Sequence, residues 1–404
     1  MHADILIIGG GIIGITIARE LKLRHPHEHV LVLEKENVVA AHASGRNSGV
    51  LHAGFYYSAD SLKARFCKEG NQLLRDYCTS HRLPLNACGK LVVAQDASEL
   101  PGLDLLYERG RANGVKLEMI SRAEAQRIEP RVLTHERALW SPTTASADPI
   151  IVTTSLAEDA QSLGVEIRRR CAYERCVASA KEVRIRTSEG EISAGFVINA
   201  GGLQADRIAR DFGFCQHHTI LPFKGLYLYS DESVGRLNTH IYPVPNMQYP
   251  FLGVHYTVTV DGHIKIGPTA IPAFWRENYQ GFERFDLGEC WEVMTREAGL
   301  LMHAGFDFRG LALQELKKFS AGYLVRQAAK LIRGVDRAQY HHWGRPGIRA
   351  QLLDLRTKTL VMDFLLEGDG RSLHVLNAVS PAWTCSLSFA RHVVDRVDAQ
   401  RQDA

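Results

Sequence analysis

Apolar runs of four or five residues alternate with helical periodicities along most of the chain. Residues 4–8 (Asp-Ile-Leu-Ile-Ile) predict a short buried strand, and residues 15–23 carry a helical period directly after it. A second apolar run, Val30–Leu33, predicts another strand, which ends on Glu34. The period is then lost through residues 42–57, a small-residue stretch that nonetheless carries apolar residues from Val50 to Tyr57. Further on, the pattern predicts helices over 63–81, 102–113, Arg122–Ile128 and 149–163, and strands over 91–94, 165–167 and Val183–Thr187. Residues 196–199 predict a strand that ends in Ala200-Gly201-Gly202 and feeds a helix over 203–212. Residues 222–229 and 241–267 alternate and are rich in aromatics, the pattern of an antiparallel sheet. Residues 285–333 are mostly helical, and within them 313–333 interleave Lys317, Lys318, Arg326, Lys330 and Arg333 with apolar residues as one basic amphipathic helix. A last strand over 373–376 leads through 377–384 into a terminal helix over 386–397.

The first junction carries chemistry. Between strand and helix stands Gly9-Gly10-Gly11-Ile12-Ile13-Gly14. Gly9 permits the tight turn, Gly11 lets the backbone approach a pyrophosphate, and Gly14 lets helix and strand pack closely. The helix N-terminus, with Ile12 and Ile13, then offers N–H groups and a positive dipole end to phosphate. Glu34 follows Gly14 by 34 − 14 = 20 residues, the separation at which an acid meets ribose hydroxyls. An acid there argues against a 2′-phosphorylated cofactor. Strand, glycines, helix, strand and acid in this order predict a dinucleotide site, with Lys35 beside it. A simple nicotinamide domain would continue with strand–helix units, whereas here Ser44, Asn47, Ser48, Gly49 and Val50 lie in the aperiodic stretch, suited to backbone laid along a flat ligand.

Composition narrows the field. A chain of 404 residues with 45% hydrophobic and 23% charged residues is ordinary for a globular enzyme with ample core. A net charge of +3 without a Lys/Arg block argues against nucleic acid. Eight cysteines with neither a CxxC pair nor zinc-ligand spacing predict reduced, buried thiols and no metal site. The first apolar stretch lacks a charged n-region and no run reaches a spanning length, so a cytoplasmic location is expected.

The motif residues together resemble the D-amino-acid-oxidase-like FAD oxidoreductases, most closely the L-2-hydroxyglutarate oxidase/dehydrogenase family. The resemblance rests on Asn47-Ser48-Gly49-Val50-Leu51-His52-Ala53-Gly54, Asn199-Ala200-Gly201-Gly202, Ile241-Tyr242-Pro243-Val244-Pro245, Pro250-Phe251-Leu252-Gly253-Val254-His255, Gly347-Ile348-Arg349-Ala350-Gln351 and the 377–384 turn. It implies an α/β, two-domain fold: a Rossmann-like doubly wound FAD-binding domain with an inserted antiparallel-sheet substrate domain. The expected division is 1–85, 145–220 and 340–404 for FAD, and 86–144 and 221–339 for substrate. Ala200, Gly201, Pro381, Ala382, Trp383 and Thr384 are then expected at the non-covalently held FAD. Where the family carries Gly-Glu-Tyr-Tyr, this chain reads Gly225-Leu226-Tyr227, and its last loop carries Val379 and Trp383 in place of Pro and Ala. If these positions line the pocket, the substrate could differ from 2-hydroxyglutarate.

The implied reaction is oxidation of a 2-hydroxy acid, L-2-hydroxyglutarate first, to the 2-oxo acid by hydride transfer to flavin N5. His52 is the expected base, because imidazole titrates near neutrality, and His255 is the second candidate. Arg349 is expected to hold the carboxylate in bidentate fashion. Lys224 is expected to hold a second carboxylate, assisted by Tyr242 or Tyr256. The electron acceptor is left between O2 and a membrane quinone; the latter would suit a peripheral contact on the inner face of the membrane by the basic helix. The rival functions are an amino-acid or amine oxidase on the same scaffold and a flavin-binding redox protein without turnover.

Overall fold

The computed structural model describes residues 1–177, 182–245, 253–304 and 307–402. Two compact units are made from alternating segments: residues 1–47, 149–222 and 349–404 form the first, and 48–148 and 223–348 the second. Residues 250–252 of the Pro250-to-His255 motif lie outside the described residues.

In the first unit, β1 (His2–Ile8) is central. It pairs in parallel with β2 (Val30–Leu33) on one side and with strand Gly190–Asn199 on the other. Glu166–Arg168 extends the parallel core beyond β2, and Ser372–Val375 extends it beyond Gly190–Asn199. Strands Tyr173–Val177, Val183–Thr187 and Leu366–Gly368 add antiparallel neighbours. β2 is apolar at every position because it is covered on both faces, as parallel strands are. Helix α1 (Ile12–Arg24) buries Ile12, Ile15, Ile17, Ala18 and Leu21 between helices Pro149–Ser162 and Ala382–Gln402. The terminal helix starts at Ala382, four residues before the expected position, directly after Pro381, a residue suited to helix entry.

The second unit is built on an eight-stranded sheet, in the order Tyr340–Trp343, Leu228–Ser230, Ile264–Gly267, His255–Val258, His240–Pro243, Lys90–Val93, Arg137–Ser141, Glu118–Ser121. All of its pairs are antiparallel except His240–Pro243 with Lys90–Val93. One face buries Leu91, Val93, Ile241, Tyr256 and Ile266 against Leu324, Val325, Ala328 and Leu331. The other buries Val92 and Leu139 against Phe55, Leu103 and Leu106. Residues 48–85, which the sequence reading grouped with the cofactor portion, pack in this unit. Val50–Leu51 pairs with Ala145–Ala147, and the Asn71 amide donates to the carbonyls of Leu51 (3.1 Å), His52 (3.2 Å) and Thr143 (3.2 Å).

One local expectation is corrected. The helix expected over 313–333 is two, Phe308–Lys317 and Ala321–Ala328, because Ser320 caps a new start by accepting from Tyr323 N–H. The motif at residues 347–351 opens the strand Gly347–Asp354.

Candidate functional site

The glycine turn of the first unit is built so that two of its positions admit only hydrogen. Gly9 has φ +114°, and a Cβ there would stand 2.4 Å from the Ala200 carbonyl oxygen. A Cβ on Gly14 would stand 2.0 Å from the Gly9 oxygen. Gly11 is the N-cap of α1, and Ile12 N–H donates to Ser44 Oγ at 2.9 Å, which ties the aperiodic segment to the helix N-terminus. Ile13 follows in the first turn. Asn47 donates to the Ser44 carbonyl at 2.8 Å and so braces the same loop.

Glu34 is buried and holds two turns together. Its Oε2 accepts from Gly10 N–H at 2.9 Å and its Oε1 from Glu36 N–H at 2.8 Å. Each oxygen keeps a second lone pair, which suits a vicinal sugar diol. Lys35 is exposed and pairs with Glu36 at 3.6 Å. Ala200 and Gly201 form the turn against Gly9, and it is Asn199 that fixes them. Asn199 Oδ1 accepts from Gly201 N–H at 3.0 Å while its Nδ2 donates to the Ala205 carbonyl at 2.7 Å. Pro381, Ala382, Trp383 and Thr384 are buried at the start of the terminal helix, and the buried Trp383 Nε1–H has no acceptor among the described residues. A turn closed to side chains, a helix N-terminus, a carboxylate with free lone pairs and an unused buried donor fit a dinucleotide of the FAD kind.

Ser48, Gly49 and Val50 belong to the second unit. Ser48 Oγ accepts from Val50 N–H at 3.3 Å, Gly49 has φ +75°, and Val50 is buried in the strand it starts. The chain then reaches His52, whose carbonyl is fixed by Asn71. Burial first, and then the charges of Lys90, His255 and His240, hold the His52 imidazole well below the usual histidine range. His255 is buried and stacks on Tyr242 with ring centroids 3.7 Å apart. Its Nδ1–H donates to the Gly253 carbonyl at 2.8 Å, leaving Nε2 as the basic atom. His240 is neutral too: its Nδ1 accepts from Val258 N–H at 3.1 Å, and burial pushes its pKa down to about 3.

Beside these imidazoles lies a residue that the sequence reading missed. Lys90 is wholly buried, its Nζ 4.2 Å from the Tyr242 ring centroid, 5.2 Å from that of Tyr56 and 5.5 Å from that of Phe55. Neither Lys90 Nζ nor the Tyr56 hydroxyl has a hydrogen-bond partner among the described residues. Burial brings the Lys90 pKa down to about 7. The one signal available in the sequence was a lysine sharing its strand face with Val92. Lys224 is half-buried and donates to Asn278 Oδ1 at 3.1 Å, and burial lowers its pKa. Tyr256 is not brought into this group. It lies on the opposite sheet face from His255, in the core with Leu91 and Leu324, because adjacent strand residues point to opposite sides. Arg349 belongs to the first unit, where it is partly exposed on strand Gly347–Asp354.

Comparison with known proteins places the chain in a family. Residues 4–396 match the family described as FAD dependent oxidoreductase. The chain is 38% identical to the mitochondrial L-2-hydroxyglutarate dehydrogenase of Nematostella vectensis, over 98% of this chain and 90% of that protein. It is 37% identical to the human mitochondrial L-2-hydroxyglutarate dehydrogenase, over 98% and 88% of the two chains, and 36% identical to the Salmonella houtenae L-2-hydroxyglutarate dehydrogenase, over 99% and 94%. Among solved structures, the FAD-bound L-alpha-glycerophosphate oxidase of Mycoplasma pneumoniae superposes with a TM-score of 0.78 at 22% identity, covering 98% of this chain and 95% of that one. The glycine oxidase of Geobacillus kaustophilus gives 0.73 at 20%, covering 99% and 95%; at these identities the likeness is one of fold. With a glycine turn, an acid-terminated second strand and a match spanning nearly every residue, the chain belongs to the FAD dependent oxidoreductases.

Proposed function

We propose that this enzyme oxidises L-2-hydroxyglutarate to 2-oxoglutarate, and that the first unit holds FAD while the second carries most of the groups that handle the acid. The observation that carries the reading is the group formed by His52, His240, His255 and Lys90: a neutral imidazole set beside an unpaired buried cation. An anionic substrate gains from such a site; a cationic amine would meet positive charge without compensation, which argues against the amine-oxidase alternative.

FAD, when bound, accepts the two electrons and the hydrogen leaving C2. The protein must take the hydroxyl proton and fix the carboxylates. We assign the proton to His52, whose lowered pKa keeps it neutral, and so able to accept, throughout the physiological range. Arg349 is assigned a carboxylate on its bidentate guanidinium, and Lys224 the second carboxylate, its ammonium being met by the neutral amide of Asn278. A monocarboxylic substrate leaving that cation unpaired would lose about 2–5 kcal/mol, roughly thirty-fold or more. Anaerobic reduction followed at the flavin band tests the reading. L-2-hydroxyglutarate should bleach the flavin, while D-2-hydroxyglutarate, L-lactate and L-glutamate should not; bleaching by glutamate instead would move the enzyme to the amino-acid oxidases, and bleaching by none would leave a redox protein without turnover.

A second observation bears on the electron acceptor. Helices Leu287–His303 and Phe308–Lys317 and the chain before them expose Phe282 (84%), Leu287 (74%), Trp291 (71%), Met302 (62%) and Leu313 (62%), with Arg296, Arg309 and Lys317 exposed on the same helices. No helix among the described residues is long and apolar enough to cross a membrane. Exposed Glu283, Asp286 and Asp307 largely balance Arg284, Arg296, Arg309 and Lys317 on this surface, so it is the apolar side chains that suit a bilayer surface, and that contact favours a membrane quinone over O2.

A further inference from the structure

Lys90 has no role in the reaction as described so far, yet it occupies an expensive place. Its ammonium is withdrawn from water, reaches no carboxylate and no hydrogen-bond acceptor among the described residues, and lies near the rings of Phe55, Tyr56 and Tyr242. A buried unpaired charge is among the costliest features a fold can carry, and a cation–π cage offsets only part of that cost. The titratable groups bearing on it are the imidazoles of His52, His240 and His255 and the thiols of Cys67 and Cys88. Tyr56 and Tyr242 contribute phenols that burial keeps protonated. Lys318 adds a further positive charge felt by His255, and Lys265 one felt by His240. Among the described residues no carboxylate bears on these four basic groups; only the Cys67 and Cys88 thiols act to raise the Lys90 pKa. A ligand carboxylate would supply the negative charge that keeps Lys90 protonated.

We propose that Lys90 is a positioning residue that makes carboxylate binding and proton acceptance depend on each other: it is charged when the substrate carboxylate is present, and its charge suppresses the basicity of His52 when the carboxylate is absent. The inference rests on the assignment of a carboxylate substrate to this group. Without ligand, and below a pH of about 7 where Lys90 carries its charge, the ammonium keeps a proton off His52 by repulsion. An arriving carboxylate cancels the ammonium's field, which restores proton affinity to the imidazole at the moment the hydroxyl must be deprotonated. It also draws a proton onto Lys90 from solvent wherever the free lysine is neutral, above a pH of about 7. Below that pH the arriving acid strengthens the base; above it, Lys90 itself takes up the proton.

The test is calorimetric titration of the FAD-loaded enzyme with glutarate, which lacks the oxidisable hydroxyl, and with acetate, in buffers of different ionisation enthalpy. Wild type should take up close to one proton per carboxylate ligand at pH 8.5 and almost none at pH 6. Its Kd should weaken about tenfold per pH unit above 7. Lys90→Arg, charged at every pH, should bind with a flat profile and no proton uptake. Lys90→Met should bind about thirty-fold or more weakly, also with a flat profile. Its flavin reduction should show a raised KM, with the pH dependence of KM lost. Uptake with acetate but no binding of glutarate would retire the diacid substrate and leave the role of Lys90 standing. Absence of uptake by wild type with either ligand would overturn the proposal whether or not the variants fold, and so would a Lys90→Met enzyme that keeps both affinity and uptake.

Discussion

At the scale of single residues, the same lysine makes a prediction about stability whose sign can be worked out. Its folded pKa of about 7 lies below the value of about 10.4 expected in an unfolded chain. Between those limits the unfolded state binds a proton that the folded state does not, so this group makes stability rise with pH across the window; below about 7 its full cost is present. Lys90→Met should therefore raise the melting temperature at pH 6 by a few degrees, and the gain should shrink towards pH 9.5. Scanning calorimetry at both pH values checks it, and a variant that melts lower at pH 6 would mean that the charge has a partner. Gly14→Ala should do the reverse at any pH. A methyl group 2.0 Å from the Gly9 oxygen cannot be accommodated without moving the turn, so the variant should be purified colourless or insoluble. These two residues differ in how readable they are from sequence. Gly9, Gly14 and Glu34 announce themselves because their roles depend on spacing within one strand–helix–strand unit. Lys90 looks like an ordinary lysine at the start of a strand, and its burial is decided by Phe55, Tyr56 and Tyr242, far from it in sequence.

Secondary-structure elements show the same division between local and long-range causes. β2, Arg122–Ile128 and Val183–Thr187 have the predicted bounds, because apolar periodicity and a capping box at Ser121 and Glu124 mark them locally. The 313–333 segment was misread because periodicity alone cannot tell which apolar residues face a core. Leu324, Val325, Ala328 and Leu331 do, whereas Leu313, Leu316 and Phe319, on the other side of the break at Ser320, stay exposed. The exposed part therefore includes Leu287–His303, which the sequence had not singled out. If the patch meets lipid, wild type should sediment with phospholipid vesicles. Trp291→Glu combined with Leu313→Glu should remain in the supernatant while keeping its flavin reduction rate. Equal sedimentation of the two proteins would remove these helices as the contact.

For the molecule as a whole, the resemblance made the two-part plan legible, whereas the boundaries depend on pairings that local patterns do not contain. The chain passes between units at 47/48, 148/149, 222/223 and 348/349. The segment after Ser48 joins the second unit because Val50–Leu51 finds its partner in Ala145–Ala147, almost a hundred residues on. Three separate segments of the first unit supply the proposed FAD contacts: the Gly9-to-Asn47 stretch, the Asn199 turn and the Pro381 helix start. Ligand binding to a site so assembled should stabilise all three together. At an FAD concentration about 100 times Kd, linkage adds about 2.7 kcal/mol to stability. Enzyme stripped of FAD should melt lower, and its melting temperature should climb with the logarithm of added FAD. Hydrogen exchange locates the effect. Protection should be gained over residues 9–18, 34–47, 199–204 and 380–386 on FAD addition, and at His52 and Lys90 only on addition of glutarate. Protection gained by FAD in one of the three segments alone would break the assignment. Early protection of all three, with the lysine strand unchanged until the diacid is added, would separate cofactor from substrate residue by residue.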